Sequence, residues 1–339
     1  MNGAGTGVIG VGMPLCVVVM GTGPFAVPML RALLRSEHRI VAVITRPDRA
    51  APGRRPAANP VRATAAAAGL PILEPGTIAE AAPALAALRP DLFVVCDYGQ
   101  ILPAAILALA PLGGINLHGS LLPRHRGAAP VQWAIRCGDA VTGTSVIGMT
   151  PALDAGHLLA VAETPIGAHE TAAELEGRLA ELGAPLVLRA IARLRDAVAG
   201  GSAPGAVGEP QDHQRATRAP RLMKHDGIVD WNEPADRIER LRRALEPWPR
   251  ATTWWLREGQ TPLRVVLDDV AIAPRESATA PPGTVGDAAA GKILVACGGG
   301  TVLEMLRVVP EGRRSMSAAD FLRGHPLLAG GRLGRPPEG

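Results

Sequence analysis

The sequence predicts an α/β protein of two domains: a Rossmann-like, mostly parallel sheet with covering helices, followed by a small C-terminal β-barrel of OB-like character. Three observations predict it. The first half alternates short β-branched apolar runs with helical patterns, as βαβ units do. After a stretch rich in Gly, Ala and Pro at 200–209, strand-like runs separated by turn signals follow, with one helical pattern among them. The chain's 339 residues also exceed the usual size of a single hydrophobic core.

In chain order, 15–20, 40–45, 92–95, 114–117 and 144–149 read as strands, because each is a short apolar run rich in β-branched residues. Between them 25–35, 60–68, 78–88 and 129–136 read as helices, two of which carry a proline near the start, where a missing N–H costs nothing. The Ala-rich segments inside 60–68 and 78–88 are helix-favouring composition. A further strand is expected at 158–162 and a long Ala- and Leu-rich helix at 171–198. Beyond the linker, strands are expected at 228–231, 252–256, 264–271, 292–296 and 302–309, with a helix at 235–244.

Composition narrows the function classes. Hydrophobic residues make up 47%, yet no apolar run approaches the roughly 18 residues that span a bilayer, so no membrane association is expected. Residues 1–20 lack the basic start of a secretory signal, and the cytoplasm is the expected location. Residues 1–12 read as a disordered Gly-rich tail, with Met13 as an alternative start. Cys16, Cys96, Cys137 and Cys297 have no C-x-x-C spacing, which argues against a zinc site and a disulfide framework; no metal is expected. The net charge of +4 neither requires nor excludes a nucleic-acid partner. Its distribution says more: Arg46, Arg49, Arg54, Arg55 and Arg62 crowd a Pro- and Gly-rich segment whose only acid is Asp48. Gly21, Gly23 and Ala26 fit G-x-G-x-x-A between a strand and a helix, but no acidic residue closes the second strand to hold a ribose, so they are read as a tight turn lining a cleft.

The residues that carry chemistry are Asn116 and His118. Alternate side chains of a strand share a face, so the two would project together where the strand at 114–117 ends. An amide donor and an imidazole converging on one point suit the oxygen of a carbonyl under attack, which points to acyl transfer. As an isolated pair they could equally cap a loop; their flanks decide.

His118-Gly-Ser-Leu-Leu-Pro123, Arg126-Gly-Ala-Ala-Pro130 and Leu153-Asp154-Ala-Gly156 resemble the signatures of the formyltetrahydrofolate-dependent transferases. The resemblance implies a catalytic Asn116, His118 and Asp154, with Asp154 orienting the imidazole and favouring its charged form. It also implies 10-formyltetrahydrofolate as co-substrate, held by Ser120, Leu121, Leu122 and Pro123 and by Tyr98, Gly99, Gln100, Ile101 and Leu102. Arg124 and Arg126 could be solvated loop residues, and His125 is read as one. The segments Ala219-Pro-Arg-Leu222, Asp230-Trp231, Pro247-Trp-Pro249, Glu304-Met-Leu306 and Met316–Gly324 resemble landmarks of methionyl-tRNA formyltransferases. So does the arginine-rich insertion, whose Arg46, Arg49, Arg54 and Arg55 would meet tRNA phosphates. The implied organisation is a tail at 1–12, a formyltransferase catalytic domain at 13–199, a linker at 200–218 and a tRNA-binding barrel at 219–333. The implied partners are initiator methionyl-tRNA and the folate, with the enzyme acting as a monomer in translation initiation. Two other readings remain at this point: a formyltransferase for a nucleotide-linked amino sugar, and a non-catalytic RNA-binding protein on the same scaffold.

Overall fold

The computed structural model describes residues 12–48, 59–273, 277–286, 291–325 and 330–336. The expected tail and the arginines at 49, 54 and 55 lie outside these residues. The chain forms two compact units: 1–130, 140–165 and 174–220 in the first, 131–139, 166–173 and 221–339 in the second.

The first unit is built on a seven-stranded sheet. Its strands are β1 (Cys16–Met20), β2 (Arg39–Ile44), β3 (Ile72–Leu73), β4 (Leu92–Val95), β5 (Gly114–His118), β7 (Val141–Gly148) and β8 (Leu158–Pro165), in the spatial order β3-β2-β1-β4-β5-β7-β8. A short β6 (Arg126–Gly127) lies outside it and pairs in parallel with β9 (Arg218–Ala219). From β3 to β5 the pairing is parallel, and β7 and β8 then run antiparallel. Every residue of β4, and all of β1 after Cys16, is buried, as expected of parallel strands covered on both faces. The helices are amphipathic: α1 (Ala26–Leu34) turns Ala26, Met29, Leu30 and Leu33 inward, the spacing of one helical face. α2 (Pro60–Ala67) starts at its capping signals, with Pro60 in the first turn and the Asn59 side chain accepting from the Arg62 N–H. The unit also holds α3 (Ala82–Leu88), α4 (Ala104–Leu107) and the long α6 (Ala172–Ala199), whereas α5 (Pro130–Cys137) belongs, beyond Pro130, to the second unit.

This strand order has a functional consequence. From β1 the chain steps outward to β2 and β3, then returns to lay β4 on β1's other side. Such a reversal opens a crevice between the carboxyl ends of the two strands, where open α/β sheets bind ligands. The Gly21–Gly23 turn occupies the β1 side of it. A Cβ on Gly21 would approach Ala26 Cβ to 2.7 Å and Cys96 O to 2.8 Å, so the turn closes as tightly as it does only with glycine. Below the crevice Val18, Met20, Ile44, Phe93, Val95, Tyr98 and Leu102 form one apolar core.

In the second unit α7 (Ala235–Ala244) precedes an antiparallel sheet of β10 (Thr252–Leu256), β11 (Leu263–Ile272), β12 (Ile293–Ala296), β13 (Val302–Pro310) and β15 (Arg332–Gly334), ordered β12-β13-β11-β10-β15. Thr284 bridges to Arg332 on β15 and Val285 to Val295 on β12, so the segment joins the two edges and closes the barrel. Closure removes the exposed edges that an open antiparallel sheet would carry. β14 (Met316–Ser317) adds to β13, and α8 (Ala318–Gly324) follows with the Ser317 hydroxyl capping its first turn. Trp231, Val265, Leu267, Val295, Leu303 and Phe321 fill the interior, where the Trp231 indole N–H donates to Thr253 Oγ1 at 3.0 Å.

Both predicted architectures are therefore present. One expected strand is not: 228–231 makes a single bridge, Ile228 to Thr252, because Asp230 caps the following turn by accepting from Asn232 N. No helix among the described residues is long and apolar enough to cross a membrane.

Candidate active site

The site lies at the carboxyl end of β5. Val95 on β4 pairs with Asn116, and Ile147 on β7 pairs with it from the other side, so β5 is held on both edges. α6 also approaches closely at Gly183, where a Cβ would lie 2.7 Å from Leu117 Cδ1. Leu117 faces this helix, and alternation turns Asn116 and His118 to the opposite face. Asn116 is half-buried and His118 only 6% exposed.

Asp154 arrives from the loop between β7 and β8. It adopts a left-handed φ of 48°, and Gly156 just beyond it lies where a Cβ would strike the Gly148 carbonyl oxygen. Together they fold the loop back over the end of β7, bringing Asp154 Oδ2 to 3.8 Å from His118 Nδ1, with the carboxylate 11% exposed. The same oxygen accepts the Gly127 N–H at 2.9 Å. On the ring's other side His118 Nε2 lies 2.9 Å from the His125 carbonyl oxygen. A carbonyl can only accept, so Nε2 carries the proton in the neutral ring and Nδ1, facing Asp154, is the basic nitrogen. At 3.8 Å the His118–Asp154 gap exceeds a hydrogen bond and leaves room for a bridging atom.

The segment 119–127 is pinned from several sides. Ser120 donates to Arg124 O at 2.7 Å, Ser145 donates to Ser120 O at 2.7 Å, and Leu122 N donates to Ser145 Oγ at 3.1 Å. His125 is not solvated as expected: it is 3% exposed, with its N–H donating to Thr217 Oγ1 at 2.9 Å. The reason is the pairing of β6 with β9, which folds the loop inward. Arg126 is likewise engaged, donating to Gln211 Oε1 at 2.6 and 3.2 Å. Gln211 in turn donates to Asp154 O at 2.9 Å and Gly156 O at 2.8 Å. Sequence reasoning missed Gln211, Thr217 and Ser145; a Gln and a Thr in a polar stretch carry no signal of the loop they will hold.

The segment 98–102 follows β4. Tyr98 and Leu102 are buried in the core, Gln100 accepts from Ile78 N at 2.9 Å, and Ile101 stands 72% exposed beside Gly99. The Tyr98 hydroxyl is buried without a hydrogen-bond partner among the described residues. Arg46 lies at the end of β2, its guanidinium 3.4 Å from Gly99 O.

Residues 13–191 match the formyl transferase family and residues 221–326 its C-terminal domain. A methionyl-tRNA formyltransferase of Roseiflexus sp. is 42% identical over 95% of this chain and 96% of its own length. One from Pseudomonas syringae pv. tomato is 44% identical over 91% and 94%. The chain belongs to the methionyl-tRNA formyltransferase family. Among solved structures, an N-formyltransferase from Helicobacter canadensis in complex with folinic acid and dTDP-3-aminofucose superposes with a TM-score of 0.62, at 14% identity, over 86% of this chain and 98% of its own. HypX from Aquifex aeolicus in complex with tetrahydrofolic acid superposes with a TM-score of 0.57, at 17% identity, over 91% of this chain and 47% of its own, so this chain spans about half of HypX. At these identities the two structures show a shared fold. The family's catalytic chemistry is formyl transfer, which is the acyl transfer that Asn116 and His118 suggest.

Proposed function

We propose that this enzyme transfers the formyl group of 10-formyltetrahydrofolate to the α-amino group of initiator methionyl-tRNA, in the cytoplasm, giving the N-formylmethionyl-tRNA used to begin translation. The observation that carries the reading is the buried His118–Asp154 pair beside Asn116, in a chain whose 41–44% identical relatives act, by name, on methionyl-tRNA.

The neutral amine attacks the formyl carbon, and the tetrahedral intermediate carries an oxyanion and an ammonium. Asn116 supplies a neutral donor to the oxyanion. His118, fixed at Nε2 by the His125 carbonyl, takes a proton at Nδ1 and becomes a second donor whose charge Asp154 balances. The ammonium proton is relayed through a bridging group in the 3.8 Å gap to the tetrahydrofolate nitrogen, and the oxyanion collapses to re-form the carbonyl, breaking the carbon–nitrogen bond so that tetrahydrofolate leaves with that proton. The co-substrate would lie along Ser120, Leu121, Leu122 and Pro123 and the 98–102 segment, with Gly99 and Ile101 presenting the open surface. Residues 13–199 would carry the chemistry, and 219–333, with Arg46, Arg49, Arg54 and Arg55, would hold the tRNA. Formylation assays offering methionyl-tRNA and a dTDP-linked amino sugar side by side test the acceptor. Formylation of the sugar alone rejects this reading in favour of the amino-sugar enzyme.

A further inference from the structure

One acidic group lies in the crevice between β1 and β4 and takes no part in the chemistry above. Asp97 stands two residues beyond Val95, which pairs with Asn116, so it leaves the sheet edge on the strand beside the one that bears His118. Its backbone is fixed by the Thr22 N–H, which donates to Asp97 O at 3.0 Å, and its φ of 47° is left-handed. A non-glycine residue held there is strained, and such residues concentrate at ligand sites. The side chain lies against Gly23, where a Cβ would run into Asp97 Oδ2. The glycine turn therefore makes room for this carboxylate.

Asp97 is exposed at the crevice mouth, with Gly23 close against one side of its carboxylate. Poor hydration pushes its carboxyl from the ordinary 3.8 up to about 6, against the opposing pull of the Gly23 N–H. The groups around it offer no countercharge. Glu176 on α6 is a second carboxyl, itself raised by burial and by Asp97, and the neighbouring Cys96 thiol is raised well above its usual range. Arg46 acts on Tyr98, and no ion pair joins any described cation to Asp97. A carboxylate without a countercharge, in the crevice where a sheet of this order takes its ligands, is matched by a ligand that brings a positive charge.

Resting on the proposed acceptor, we propose that Asp97 is a positioning residue that receives the α-ammonium of the methionyl group, holding the nitrogen in the crevice before it loses its proton and attacks. The Gly23 turn forms the other wall of that subsite. An α-amino group carries its charge below about pH 7.7, so the acceptor arrives largely as the cation that this carboxylate fits.

The test compares two acceptors that differ at one atom: methionyl-tRNA, and the same tRNA carrying the α-hydroxy analogue made by deamination. Binding of each is titrated at about pH 6.5, between the two ionisations, without folate, with wild type, Asp97→Asn and Asp97→Ser. Wild type should bind the ammonium form about tenfold more tightly, and both variants should bind the two forms alike, with affinity for uncharged tRNA and for folinic acid unchanged. A variant merely misfolded at the crevice would weaken both acceptors and leave their ratio intact, which overturns the assignment. Retention of the wild-type preference in either variant overturns it equally. Wild-type failure to formylate methionyl-tRNA would remove the acceptor reading itself, a separate result seen before any variant is made.

Discussion

Replacing Gln211 with Ala should cost both stability and rate, because one buried amide holds the loop that carries Asp154. Gln211 is 6% exposed, donates to Asp154 O and Gly156 O, and accepts twice from Arg126. Truncation leaves two carbonyls without their donor. An orphaned buried polar group costs about 1–3 kcal/mol, and entry of water offsets part of this, giving about 2–4 kcal/mol in total. For a chain of 339 residues that corresponds to a fall in Tm of about 3–6 °C. The rate should fall by about 10–100-fold, since an ångström of displacement at Asp154 is enough for such a loss. Gln211→Glu separates the bonds given from the bonds accepted. It keeps the shape and still accepts from Arg126, but donates nothing to the two carbonyls, and should lose as much as the Ala variant. Thermal unfolding and single-turnover formylation measure the two effects. A Glu variant with wild-type Tm and rate would refute the reasoning, because the loop would then not depend on the amide's donors.

Replacing His118 or Asp154 with Ala should lower the single-turnover rate by about 10³-fold or more while folate affinity, read by fluorescence titration, stays within a few-fold, since the interactions removed belong to the transition state; near-normal turnover in either rejects the roles. Changing Arg49, Arg54 and Arg55 together to Ala should flatten the salt dependence of tRNA binding by about 0.7–0.9 in log–log slope for each phosphate that the loop no longer neutralises, with unchanged slopes removing the loop from tRNA recognition. Asp97→Asn should stabilise the protein above pH 6. The folded carboxyl holds its proton to about 6 instead of 3.8, so ionised Asp97 lowers stability as pH rises through that window. A two-unit shift carries about 2.7 kcal/mol, and solvent at the crevice mouth reduces this to about 1 kcal/mol, an advantage that should fade as pH falls from about 6 to about 4 in urea titrations.

Much of this was legible in the residues. The buried runs of β1 and β4, the inward face of α1 and the Pro60 start of α2 were readable because periodicity and capping are local. Asn116 and His118 could be paired from alternation alone, and Asp154 from a motif. What escaped depends on distant pairing. Nothing near His125 announces that β6 will pair with β9, far along the chain, and draw the ring inside. Barrel closure by Thr284 and Val285 rests on isolated bridges without an apolar run. Asp97 looks like an ordinary loop acid until the strand order sets it against Gly23.

The most direct test of the central claim follows a labelled formyl carbon from 10-formyltetrahydrofolate in single turnover, with methionyl-tRNA and a dTDP-linked amino sugar present together. The account predicts label on the α-nitrogen of methionyl-tRNA with wild type and its near-complete loss with His118→Ala. Label that goes to the sugar, or that reaches methionyl-tRNA equally with both proteins, would contradict it.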